Sequence, residues 1–113
     1  NNLYDCFVGE NSRLPFLAMP DAINAIQKLM KQKNTDILSK VYNVTSFNPS
    51  CGEFFCLIKE KNLNAKISYK INEIRQKIVD SWPRDIDDTL ARKEWNWMPA
   101  YNLEKTINEY LTY

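Results

Sequence analysis

The run LPFLAMPDAINAIQKLMKQK, residues 14–33, decides the class of the fold. Leu14 to Met19 form a nearly continuous apolar stretch of strand type, and Pro20 stops it because proline has no backbone N–H to give to a ladder. Asp21 then reads as a helix cap. Ala22, Ile23, Ile26, Leu29 and Met30 recur at the spacing of one helical face to about Lys33. A strand feeding a helix is the unit from which α/β proteins are assembled.

Outward from this run the alternation continues. Upstream, Tyr4 to Val8 mix aromatic and β-branched residues as strands do, and Gly9-Glu10-Asn11-Ser12 supply turn chemistry. Downstream, Val41 to Val44 is short and β-prone. Ser50 and Glu53 have capping-box spacing ahead of Phe54, Phe55, Leu57 and Ile58, which predicts a helix to about Lys61. Lys66 to Ile71 alternates Ile67, Tyr69 and Ile71 with Lys66, Ser68 and Lys70, the pattern of a strand with one buried face. A short helix over Ile74–Val79 follows, then a helical turn from Asp87 through Arg92, and a last helix capped by Asn102 that carries Leu103, Ile107, Tyr110 and Leu111. The expected class is α/β, with short strands alternating with helices in one unit spanning residues 1–113.

Bulk properties narrow the function by exclusion. Fifteen basic against fourteen acidic residues leave a formal charge of +1 over 113 residues, a balance that supplies no field for nucleic acid or an anionic membrane. No apolar run approaches the roughly 20 residues that span a bilayer. The opening Asn1-Asn2-Leu3-Tyr4 has neither an initiator Met nor a charged leader, so the chain reads as soluble and as starting mid-protein. Cys6, Cys51 and Cys56 lack CxxC spacing, and histidine is absent, which leaves no zinc constellation and no imidazole base. The cysteines read as free thiols in a reducing compartment.

Cofactor chemistry is missing as well. A dinucleotide cradle needs closely spaced glycines before a helix, whereas the two glycines, Gly9 and Gly52, are far apart. A literal Tyr-x-x-x-Lys occurs at Tyr101 and Lys105, at the start of the last helix, where Tyr101 reads as packing and Lys105 as an exposed charge. Asp85, Asp87 and Asp88 read as a cap with solvated neighbours rather than a metal cluster. No catalytic, cofactor-binding or metal-binding residue is therefore assigned. All three tryptophans fall between Arg75 and Pro99. Trp95 and Trp97 read as docking or core residues, and Trp82, held before Pro83 in an extended loop, is the one whose ring is free to face a ligand.

The order and spacing of Arg75-Gln76, Asp80-Ser81-Trp82-Pro83, Asp87-Asp88, Ala91-Arg92 and Trp95-Asn96-Trp97 resemble the extended short-chain dehydrogenases, and within them the L-threonine 3-dehydrogenases related to the nucleotide-sugar epimerases. Leu14 to Ile23 and Val41 to Val44 resemble two further segments of that family. Asn96 stands where the family usually has glycine, and Pro20 replaces a more common residue. Nucleotide-sugar members carry an arginine at the position of Leu14, and Arg13 lies one residue before it.

The resemblance implies the C-terminal substrate-binding portion of such an enzyme, without the Rossmann nucleotide-binding core. That enzyme oxidises the C3 hydroxyl of L-threonine with NAD to 2-amino-3-oxobutyrate. NAD and the catalytic Tyr/Lys pair belong to the upstream half, and no NAD is expected on residues 1–113, which supply a lid and are inactive alone. A lid excludes water and holds the reacting carbon in place. In it Trp82 shields the substrate, Arg75 pairs with a carboxylate or phosphate or forms an ordinary surface ion pair, and Ser81 offers a hydrogen bond. The implied partners are the small-molecule substrate L-threonine and, for the full-length enzyme, a second copy in a homodimer, with neither nucleic acid nor membrane. The implied location is intracellular, in cytoplasm or mitochondrial matrix alike. Two alternatives stay open: the substrate domain of a nucleotide-sugar epimerase or dehydratase, and a stand-alone binding module.

Overall fold

The computed structural model describes residues 3–39 and 41–111. In chain order the elements are β1 (Leu3–Cys6), α1 (Met19–Met30), α2 (Cys51–Lys61), β2 (Lys66–Tyr69), α3 (Glu73–Asp80), α4 (Thr89–Trp95) and α5 (Leu103–Tyr110). β1 and β2 pair in parallel, with Tyr4 opposite Ile67 and Cys6 opposite Tyr69. Parallel strands need a long crossover, and here it carries α1 and α2. The fold is α/β with short strands and helices, as the alternation predicts.

Side-chain caps set three of the five helix starts. Ser50 Oγ accepts from the Glu53 N–H at 3.2 Å while Glu53 Oε2 accepts from the Ser50 N–H at 2.9 Å. This reciprocal box starts α2, which ends at Lys61 as expected. Asn72 caps α3 and Asn102 caps α5, each side-chain oxygen accepting the N–H three residues on. α4 ends differently. Asn96 takes a left-handed backbone, φ 55° and ψ 37°, and the N–H groups of Asn96 and Trp97 both turn back to Ala91 O.

Several expectations need correction. Leu14 to Met19 is not a strand: Pro15 has no N–H, and the segment makes one isolated antiparallel bridge, Phe16 with Phe47, with another, Arg13 with Ser50, just before it. Helix α1 starts earlier than a cap at Asp21 would allow and ends at Met30 rather than Lys33. Pro20 lies in its first turn, where a missing N–H costs nothing. Val41 to Val44 is irregular because its neighbours are pinned to α4: Glu94 accepts from the Leu38 N–H, Ser39 Oγ and Tyr42 OH at 2.8, 3.1 and 3.0 Å. β2 stops at Tyr69, so Ile71 lies outside it and is exposed. Asp88, not Asp87, is the residue before α4, which runs on to Trp95.

Two small apolar clusters hold the chain. Ala25, Ala91, Trp95 and Trp97 are buried together, with Leu17, Leu29, Tyr42 and Val44 packed on them, and the Trp95 ring meets Tyr42 edge-on at 5.7 Å and Trp97 at 5.9 Å. Around the strands, Phe55 contacts Tyr4 and Tyr69 at 5.8 and 5.9 Å. A single polar residue knits the first cluster to the C-terminal stretch. Asp21, 1% exposed, accepts from Ser46 Oγ at 2.6 Å and from the N–H groups of Ala100 and Tyr101 at 2.8 and 3.2 Å.

Much apolar surface is left over. Met19, Ile23, Ile26 and Met30 run along one side of α1 and are all exposed. The radius of gyration, 16.9 Å, exceeds the roughly 13 Å of a compact domain of this length. Among the described residues no helix is long and apolar enough to cross a membrane.

Candidate functional site

A well-formed concavity lies where the loop after β1 meets the C-terminal end of α3. The first turn of α2 leaves backbone N–H groups without helical partners, and this loop satisfies them: the Cys51 N–H reaches Ser12 O at 3.0 Å and the Gly52 N–H reaches Glu10 O at 2.9 Å. From the other side Gln76 of α3 clamps the same loop. Its Oε1 accepts from the Gly9 N–H at 2.6 Å, and its Nε2 donates to Ser12 Oγ at 2.9 Å and to Asp80 Oδ1 at 2.7 Å. The cavity so framed has a volume of about 410 Å³, and Glu10, Arg13, Gln76, Asp80, Trp82 and Arg84 supply its functional side chains.

Of the three substrate residues expected from sequence, only Trp82 lines this cavity. Its N–H bonds to Val79 O at 3.1 Å in the turn that closes α3, and its ring is half exposed. Arg75 lies elsewhere, its guanidinium 4.6 Å from the centre of the Phe7 ring. The Ser81 hydroxyl donates to Ile78 O at 2.6 Å. Sequence reading missed Glu10, Gln76 and Arg84. Gly9 to Ser12 carried only a turn signal, and Gln76 stood out only as part of the Arg75-Gln76 pair.

Trp82 also borders a smaller apolar slot of about 270 Å³ with Leu14, Pro15, Phe16 and Pro83. Leu14 and Trp82, singled out separately in the sequence, thus share one wall. Arg13, which lines the main cavity, is already bonded: its guanidinium forks onto Glu53 at 2.8 and 3.0 Å and donates to Asn48 O at 2.5 Å. The pair raises the arginine's pKa and lowers that of the glutamate, chiefly through these hydrogen bonds.

Three further groups of polar or titratable side chains are bonded locally. Tyr101 OH donates to Glu109 Oε1 at 3.0 Å, and Lys105 Nζ lies 4.3 Å from the Tyr101 ring centre. The Glu109 hydrogen bond, followed by burial, pushes the phenol up to about 12, opposite to what a phenolate base requires. Cys51 borders an apolar pocket with Cys6, and burial, then the neighbouring thiol, pushes it up to about 11, so it stays protonated and unreactive near neutral pH. Asp87 accepts from the Thr89 N–H at 2.9 Å and Asp88 pairs with Arg92 at 2.9 Å, the local bonding of a helix start. Among the described residues no group of three or more His, Cys, Asp or Glu side chains is placed to hold a metal ion.

Nor do these residues fit a dinucleotide. Neither described glycine has a positive φ, and the free N–H groups at the start of α2 that would cradle a pyrophosphate are already taken by Glu10 O and Ser12 O.

No protein-family model matches the chain. It is 25% identical over its whole length to a mitochondrial L-threonine 3-dehydrogenase of Bos taurus, spanning 30% of that protein. It is 33% identical over 101 residues to an uncharacterized epimerase/dehydratase of Staphylococcus saprophyticus, covering 88% of this chain and 32% of the other. In three dimensions it superposes on an L-threonine dehydrogenase of Phytophthora infestans with a TM-score of 0.89 and 31% identity, over 96% of this chain and 35% of that one. The chain therefore spans about a third of the length of the relatives it matches. In sequence and in fold it is similar, over that third, to L-threonine 3-dehydrogenases and to epimerase/dehydratases.

Proposed function

We propose that residues 1–113 are the substrate-side, C-terminal lid of an NAD-dependent L-threonine 3-dehydrogenase, inactive by itself and working in threonine catabolism as part of a complete enzyme that oxidises L-threonine to 2-amino-3-oxobutyrate. The observation that carries this reading is the shared wall of Leu14 and Trp82 beside the main cavity. An apolar wall suits a small substrate that must be shielded from water, whereas a diphosphate calls for cationic side chains. Arg13, the nearest cation to Leu14 in sequence, is engaged by Glu53.

The NAD site and the catalytic base belong to the nucleotide-binding half of that enzyme. The exposed stripe Met19, Ile23, Ile26 and Met30 is the face that meets this half, since a contiguous apolar strip of a surface helix is ordinarily covered. Trp82 walls the substrate, and the complete enzyme assembles as a homodimer.

The test is turnover by the complete polypeptide. NADH should appear with NAD and L-threonine, and sedimentation should report a dimer. Turnover of a nucleotide sugar in place of threonine would establish the epimerase/dehydratase reading instead. The 113-residue chain alone should give a silent NAD titration, and saturable micromolar binding there would overturn the division of labour.

A further inference from the structure

The main cavity is lined by four charged side chains, Glu10, Arg13, Asp80 and Arg84, and their partners sort them. Arg13 is forked onto Glu53. Asp80 accepts from Gln76 at 2.7 Å. The Glu10 carboxylate and the Arg84 guanidinium make no hydrogen bond or ion pair among the described residues. One uncommitted anion and one uncommitted cation thus face the same 410 Å³ space.

Their backbones are fixed although their side chains are not. Glu10 O holds the Gly52 N–H at 2.9 Å, and a methyl group on Gly52 would come within 2.8 Å of Glu10 Cγ, so the glutamate stem packs closely over the start of α2. Arg84 O accepts from Asn48 Nδ2 at 3.3 Å, and Asn48 O is in turn held by Arg13 at 2.5 Å. Anchored stems with free charged ends are prepared for a ligand that brings the complementary charges.

We propose that Glu10 and Arg84 are the specificity-determining contacts for the two ends of a zwitterionic α-amino acid, Arg84 taking the carboxylate and Glu10 the ammonium; this rests on the threonine-dehydrogenase reading above. A guanidinium presents two parallel donors to a carboxylate. A diphosphate would need a second uncommitted cation, and the other arginine lining this cavity is neutralised by its glutamate. Trp82 closes the apolar side, and Gln76 holds the Glu10 loop against α3 without itself carrying charge.

The experiment uses the complete dehydrogenase, L-threonine as substrate and two half-charged competitors, 3-hydroxybutyrate, which keeps the carboxylate, and threoninol, which keeps the ammonium. Arg84→Gln should raise the KM for threonine and the Ki of 3-hydroxybutyrate by about 10- to 100-fold, the scale of one lost charge-assisted hydrogen-bond pair, and leave the Ki of threoninol within about twofold. Glu10→Gln should show the reverse pattern, and Arg84→Lys should recover part of the loss. Damage to the scaffold would weaken all three ligands alike, so the crossed pattern isolates charge recognition. If the wild-type enzyme oxidises threonine while the variants shift all ligands equally or none, the proposal is overturned and the dehydrogenase reading stands. A wild-type enzyme that does not oxidise threonine overturns both.

Discussion

Leu14 and Trp82, 68 positions apart by their numbering, border the same apolar slot, and the tryptophans differ sharply in their surroundings. Trp82 is 53% exposed and faces both the slot and the larger cavity, whereas Trp97 is 1% exposed inside the α1–α4 cluster. In the complete enzyme Trp82→Ala should lower kcat/KM for L-threonine by about 10-fold or more, roughly 1.4 kcal/mol of transition-state stabilisation, with NAD affinity nearly unchanged. A variant whose melting temperature falls while kcat/KM holds would make Trp82 a packing residue only.

Trp97→Ala should act on stability instead, by about 3–5 kcal/mol, the usual range for a large aromatic removed from a core. The Nε1 groups of Trp95 and Trp97 are buried without an acceptor among the described residues. Replacing Trp97 by Phe, which removes that unpaired donor along with part of the ring, should therefore cost much less than replacing it by Ala. Chemical denaturation of the two variants gives the comparison, and equal losses would show that the indole N–H is bonded in solution.

Asp21 shows where the sequence stops being legible. Its place just after Pro20 suggested a helix cap, but a cap accepts from its own helix, and Asp21 instead accepts from Ser46, Ala100 and Tyr101. Nothing local encodes a partner so distant along the chain. The capping box of Ser50 and Glu53, the caps Asn72 and Asn102 and the α-helical spacings were readable because their partners lie within one turn. The strands expected at Leu14–Met19 and Val41–Val44 failed for the opposite reason, since an apolar run becomes a strand only beside another with free N–H and C=O groups. The lining of the candidate cavity divides along the same line: Trp82 stands out by residue type, whereas Glu10 and Arg84 stand out only once the partners of the other charges are known. Asp21→Ala should destabilise the fold by roughly 2–4 kcal/mol by stranding buried donors. Asp21→Asn should not rescue it fully, because one of its side-chain atoms becomes a donor facing donors. Urea midpoints of the two variants measure this, and an Asp21→Ala midpoint equal to wild type would show the three hydrogen bonds to be dispensable.

Asn96 gives a backbone prediction independent of any ligand. At φ 55° a Cβ is disfavoured, and asparagine is among the few non-glycine residues that accept such a position. Asn96→Ala should cost about 1 kcal/mol, and Asn96→Gly, the residue usual at this position in the family resembled, should be neutral or slightly stabilising. A neutral alanine variant would mean that the turn after α4 relaxes in solution.

Tyr101 yields a prediction with a definite sign in pH. Its phenol is raised from 10.0 to about 12 chiefly by the hydrogen bond to the Glu109 carboxylate, so the folded chain holds this proton more tightly than the unfolded one. Stability from the pair is then fully present below the unfolded value near 10 and is lost as pH rises towards 12, because the unfolded state sheds its proton first. Tyr101→Phe should flatten the fall in stability across that window and remove one late-titrating phenol from a spectrophotometric titration. It should leave kcat/KM for threonine at neutral pH unchanged, since a phenol raised rather than lowered is not poised to take the substrate's hydroxyl proton. A large loss of kcat with KM preserved would instead make Tyr101 and Lys105 a working acid–base pair and would return the catalytic base to this part of the enzyme.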